Sequence, residues 1–210
     1  MMDAPITLLL LGVTGFVSWR AFEDHGIMSK LRYSPFLVKS RKEYYRLLAH
    51  AFVHANWPHL LFNALALYSF GEALEQAFFT RLFGKSGGML MFLLFYLLGV
   101  LAASIPAYRK HGDHPGYNSV GASGGVSAIL MAYMVAFPTA QVAFFFVPMP
   151  AFLAVFVFFI LEVLMQRSGK KMIAHDAHLG GAVFELVFVG IFAPSCYQRF
   201  IEAVSEFFLG

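Results

Sequence analysis

The chain has 210 residues, 59% of them hydrophobic and only 13% charged, with 25 phenylalanines and a mean hydropathy of +0.68. So few charges beside so much apolar bulk exclude an ordinary water-soluble enzyme and specify an all-α polytopic membrane protein. The net charge of +3 is slight and its cations cluster in loops, which suits the lipid bilayer as a partner and not nucleic acid.

The N-terminal stretch "MMDAPITLLLLGVTGFVSW" lacks a basic leader and a small-residue cleavage site, so it reads as a retained first helix over 4–22. Residues 23–57 follow, mixing apolar and basic side chains. That composition predicts short segments lying in the membrane interface, with Tyr33, Tyr44, Tyr45 and Trp57 as aromatic anchors. Further apolar runs predict helices over 58–78, 88–108, 120–137, 150–166 and 175–194. Each is long enough for a hydrocarbon core of ~30 Å, which makes six spans in a single membrane domain over 1–210. Pro138, Pro148 and Pro150 forbid one continuous helix between the fourth and fifth runs. Residues 195–210 form a short amphipathic tail, and the lone Cys196 excludes an intrachain disulfide.

Polar groups are costly inside a bilayer, and three clusters ask for a reason. "HANWPHLLFN" places His59 and Asn63 four residues apart, on one helix face, with His50 and His54 upstream. "GASGG" carries Ser123 among glycines, and "HDAHLGG" carries His175 and His178. His59, Ser123 and His178 open the second, fourth and sixth predicted helices. Even-numbered spans run in the same direction, so the three groups share one side of the membrane. Gly121 and Gly125, then Ala177 and Gly181, form small-residue stripes that let two helix backbones approach closely. Packing alone also explains such stripes.

The chemistry this set permits is acyl transfer. Ser123 is the candidate nucleophile and His178 its base. The His59 ring, the Asn63 amide and the backbone N–H of Ser123 are candidate oxyanion donors, aided by a helix N-terminus. Gly121, Gly124 and Gly181 support the close packing. Asp176 is two residues from His178, the wrong spacing for a third member on a helix, so a dyad is expected.

At these residues the chain resembles the rhomboid family of intramembrane serine proteases. "HLLFN" is similar to that family's H-x-x-x-N, "GASG" to its G-x-S-G and "AHLGG" to its A-H-x-x-G, in order along about residues 40–194. "EALE", ending at Glu75, and Arg46 fit the same pattern. The resemblance implies a six-transmembrane-helix bundle, no cofactor, and cleavage in or near a transmembrane segment of a membrane-protein substrate. It carries Ser123 over as nucleophile, His178 as base, and His59 and Asn63 as oxyanion stabilisers. It also implies that the fifth helix, with Phe152, Phe156 and Phe159, admits substrate laterally, and that "RSGKKMI" caps the site. Many relatives carry an aromatic residue four positions after the serine, whereas this chain has Ser127.

The family orientation puts the N-terminus in the cytoplasm and the serine outside, and a bacterial cytoplasmic membrane is expected. The cations disagree. Lys30, Arg32, Lys39, Arg41, Lys42, Arg46, Arg109, Lys110, Arg167, Lys170 and Lys171 lie on the serine side, against Arg81, Lys85 and Arg199 opposite. Among rivals, a metalloprotease lacks H-E-x-x-H, and no metal site is expected. A Gly–Asp pair occurs only at Gly112–Asp113, in a loop, which disfavours an aspartyl protease. A rhomboid-like binder of transmembrane helices would be expected to lose the serine or the histidine. A small transporter would suit the buried carboxylates Glu162 and Glu185, but no repeated halves are visible. Glu185 lies two turns below His178 on a similar face; a place in a water path is the alternative, but a paired structural group is expected.

Overall fold

The computed structural model describes residues 4–144, 147–167 and 175–209. Helix α1 (Pro5–Glu23) opens on a proline, whose missing N–H costs nothing at a helix start. The expected interface segment is three short helices, α2 (His25–Leu31), α3 (Pro35–Arg41) and α4 (Arg46–Ala49), then a tight turn over His50–Phe52. Helix α5 (Trp57–Ala73) is capped by Asn56, whose side chain accepts from the His59 N–H at 2.9 Å. The loop expected after the second helix is mostly helical instead. A wide turn over Leu74–Phe79 leads straight into α6 (Thr80–His111), and the bend falls at Gly84, with φ 72° and ψ 173°. That backbone needs glycine.

Helix α7 (Ser123–Ala136) begins three residues later than expected, because Gly121 has φ 115° and cannot be helical. The structure is not wholly α. Gln141–Phe144 (β1) pairs antiparallel with Val147–Pro150 (β2), where the prolines end the helix. Then come α8 (Ala151–Arg167), α9 (His175–Phe192) and α10 (Ser195–Leu209). The tail is thus a full helix, bent by 111° from α9.

Every segment expected to be an apolar helix is helical. Pro5–Glu23 and the run Trp57–His111 are long and apolar enough to cross a membrane, and the bent pair of α9 and α10 qualifies jointly. That makes two or three candidate spans among the described residues, short of the six expected.

The core is aromatic and small-residue by turns. Phe79, Phe92, Phe95 and Phe188 pack ring to ring. Beside them α6, α7 and α9 meet along glycine and alanine. A Cβ on Gly99 would stand 3.0 Å from the Ala128 Cβ, one on Gly124 2.3 Å from the Ala103 Cβ, and one on Gly181 2.1 Å from the Gly124 carbonyl oxygen. Large apolar side chains also point outward, among them Phe16, Leu61, Phe62, Val187 and Ile191. That surface belongs against lipid.

Two acids settle differently from each other. Glu75 is buried and accepts from the Ile6 and Thr7 N–H groups and the Thr7 hydroxyl at 2.8–3.0 Å, capping the start of α1. Glu185 is also buried, but neither carboxylate oxygen has a hydrogen-bond partner among the described residues. The expectation of a paired Glu185 fails.

Candidate active site

Ser123 is the first residue of α7, so its own N–H and those of Gly124 and Gly125 precede the first intrahelical hydrogen bond, from Val126 to Ala122. The partly buried serine lines a small pocket with His50, Ser119, Gly121, Gly124 and Ala177. Its depth follows from the loop before it. The positive φ of Gly121 turns the chain into the helix, and a Cβ there would come within 2.6 Å of the His59 ring. The absent side chain is what lets the ring lie against the loop.

That loop hangs from the connecting segment before α5. Gly121 donates to the His50 carbonyl at 2.9 Å. Ala122 donates to His54 Nε2 at 3.2 Å, so the proton of this neutral imidazole sits on Nδ1 and is donated to Ser18 Oγ at 2.9 Å. Ser18 in turn donates to the Phe52 carbonyl at 3.1 Å. Burial holds both connecting-segment histidines below the usual imidazole range, His50 to about 4 and His54 to about 3. They stay neutral at neutral pH, which this chain of hydrogen bonds requires.

Upstream, Tyr33 and Ser119 exchange both backbone hydrogen bonds, and the Tyr33 hydroxyl donates to the Ser104 carbonyl at 2.9 Å. Tyr33 is therefore buried, not an interfacial anchor; its hydroxyl found a partner inside. Tyr44, Tyr45 and Trp57 are exposed as expected. Arg46, also buried, pairs with Glu43 at 2.6 Å and donates to the Ser29 and Arg32 carbonyls, tying the short helices together. His54, which the sequence suggested as support near the site, and Tyr33, which it suggested as an anchor, are positioning residues. Their partners are distant in the chain, and no local pattern announces them.

The remaining site residues converge on the same end. Asn63 is buried on the face below His59 and donates to the His59 carbonyl at 2.8 Å. The His59 ring stands edge-on to His54, with ring centroids 4.9 Å apart. His178 is partly buried on the first turns of α9, beside Ala177, which lines the serine pocket. Gly124 lies 3.5 Å from the Ala177 carbonyl, measured from its would-be Cβ, so the turn bearing His178 rests on the turn bearing Ser123. The structure thus gathers Ser123, His59, Asn63, His178, Gly121, Gly124 and Gly181 at one end of the bundle. The expected cap segment falls largely outside the described residues, as do the side chains of Asp176 and His175. Ser127 is buried and offers no ring.

Residues 41–195, most of the chain, match the family profile described as "Rhomboid domain". The chain belongs to the rhomboid family. It is 30% identical over 192 residues to RHOMBOID-like protein 12, mitochondrial, of Arabidopsis thaliana, covering 86% of this chain and 55% of that one. To Rhomboid protein 1, mitochondrial, of Saccharomyces cerevisiae it is 28% identical, covering 77% and 46%. To the human presenilin-associated rhomboid-like protein, mitochondrial, it is 27% identical, covering 68% and 36%. The chain spans about half or less of the length of these rhomboid relatives. Their names are mitochondrial, so the expected bacterial cytoplasmic membrane draws no support from them. This rhomboid chain is a membrane protein.

Proposed function

We propose that this rhomboid is an intramembrane serine endopeptidase acting on transmembrane segments of other membrane proteins. The observation that carries the reading is the seating of the His178 turn directly on the Ser123 turn, with His59 against the Gly121 loop. Ser123 Oγ attacks the scissile carbonyl carbon while His178 takes its proton. The oxyanion that forms is met by the free N–H groups at the start of α7 and by the His59 ring and Asn63 amide. His178 then returns the proton to the leaving amine, and water releases the acyl group by the same route.

In this reading α1, α5, α6, α7, α8 and α9 are the six crossings. The short α7 is surrounded by the others and holds its serine below the membrane surface in a pocket that water reaches. Substrate approaches sideways past α8, where Phe156 is exposed and Phe152 is buried.

A fluorophosphonate probe tests the reading. One covalent adduct is expected on the chain, mapping to Ser123 and lost in His178→Ala. An unlabelled wild type that still binds transmembrane helices would favour a silent binder; a labelled serine elsewhere would sink the site.

A further inference from the structure

The family match ends at residue 195, where α10 begins. This helix lies at the end of the bundle away from Ser123, because α9 runs from the His178 end toward it. At 100° per residue α10 has three faces, not two. Cys196, Phe200, Ala203 and Phe207 point at the bundle. Cys196 and Ala203 are buried and Phe200 is partly buried, pairing with Phe156, while Phe207, though 57% exposed, meets Phe152 at the foot of α8. Gln198, Arg199, Glu202, Ser205 and Glu206 form an exposed polar arc, part of which borders an open pocket beneath residues 136–140. Between these two faces Ile201 and Phe208 are 66% and 65% exposed. Phe156 of α8 and Val187 and Ile191 of α9 are also exposed large apolar side chains.

The short α7 explains why such a helix is useful. Its 14 residues reach about 21 Å, less than a hydrocarbon core of ~30 Å, so its far end needs cover. The 111° bend rules out α10 as a straight continuation of α9. We propose that α10 lies in the headgroup region of the leaflet opposite Ser123, its Ile201–Phe208 face occupied by phospholipid acyl chains and its polar arc in water. There it closes the space under α7 and holds the foot of α8.

Spin labels test this without reference to catalysis. The wild type, whose lone Cys196 is buried, serves as the unlabelled control. The full chain is reconstituted in phosphatidylcholine–phosphatidylglycerol vesicles, with labels at Ile201→Cys, Phe208→Cys, Gln198→Cys and Ser205→Cys. All four positions are exposed, so folding is retained. Labels at 201 and 208 should collide more with oxygen than with a water-soluble nickel chelate, and labels at 198 and 205 the reverse. Nickel-favoured collisions at all four sites would overturn the proposal, since the helix would then lie in water. Oxygen-favoured collisions at all four would overturn it as a buried span. Labels at 201 and 208 shielded from both reagents would overturn it in favour of a protein cover.

Discussion

At the scale of single residues, the Ser123 end of the bundle depends on the groups that hold its loop. Gly121 shows this most sharply. In Gly121→Ala the new Cβ meets the His59 ring at 2.6 Å on a backbone with φ 115°, and both effects push the loop away from the ring. Substrate turnover should fall about 100-fold, the scale of losing one oxyanion donor, with a smaller loss of stability. His54 gives a pH signature. Its native pKa is about 3 against 6.5 when exposed, so the unfolded chain binds the extra proton between those values. Its contribution to stability is whole above about pH 6.5 and declines as pH falls toward 3. Thermal unfolding in detergent should show a midpoint that drops between pH 7 and 4, and drops less in His54→Gln. That Ser123, His59, Asn63 and His178 come together was legible in the sequence, because polar groups in apolar runs demand a reason. Tyr33 was misread because an aromatic in a basic loop carries no mark of the hydroxyl partner, Ser104, that buries it.

At the scale of elements, glycine separates packing from conformation. Gly181→Ala drives a Cβ to 2.1 Å from the Gly124 carbonyl oxygen, which neither backbone can evade locally. It should destabilise the fold by about 1–3 kcal/mol and reduce activity by parting α9 from α7. Gly15→Ala in α1 has nothing within 4 Å of the new Cβ and should be neutral or stabilising by about 0.4–1 kcal/mol. Paired unfolding measurements check the opposite signs. The helices themselves were readable, because lipid forces every spanning backbone to satisfy itself and so writes long apolar runs. The β1–β2 hairpin was not; the prolines announced a break, but strand pairing between residues 141 and 150 is a tertiary outcome. Helix α10 was read only as an amphipathic tail, since its three faces emerge only against α7 and α8. Glu185 lies on α9 as expected, but its lack of a hydrogen-bond partner among the described residues leaves no trace in sequence.

At the scale of the whole molecule, the end that carries Ser123 is also rich in cations. Lys39 at the end of α3 bridges Asp113 beyond α6 at 2.8 Å, tying these two helix ends together. The family orientation places Ser123 outside and both termini in the cytoplasm, and it predicts that a reporter fused at Gly210 reads cytoplasmic; an outside signal would show that charge set the topology instead. The account stands on Ser123 as the nucleophile of an intramembrane peptidase. The most direct measurement is cleavage of a transmembrane-helix reporter by the purified chain in lipid vesicles, beside Ser123→Ala and His178→Ala. Wild type should cut within or near the reporter's helix, and each variant should be slower by about 10³-fold or more. Cutting that persists at the wild-type rate in Ser123→Ala would contradict the account.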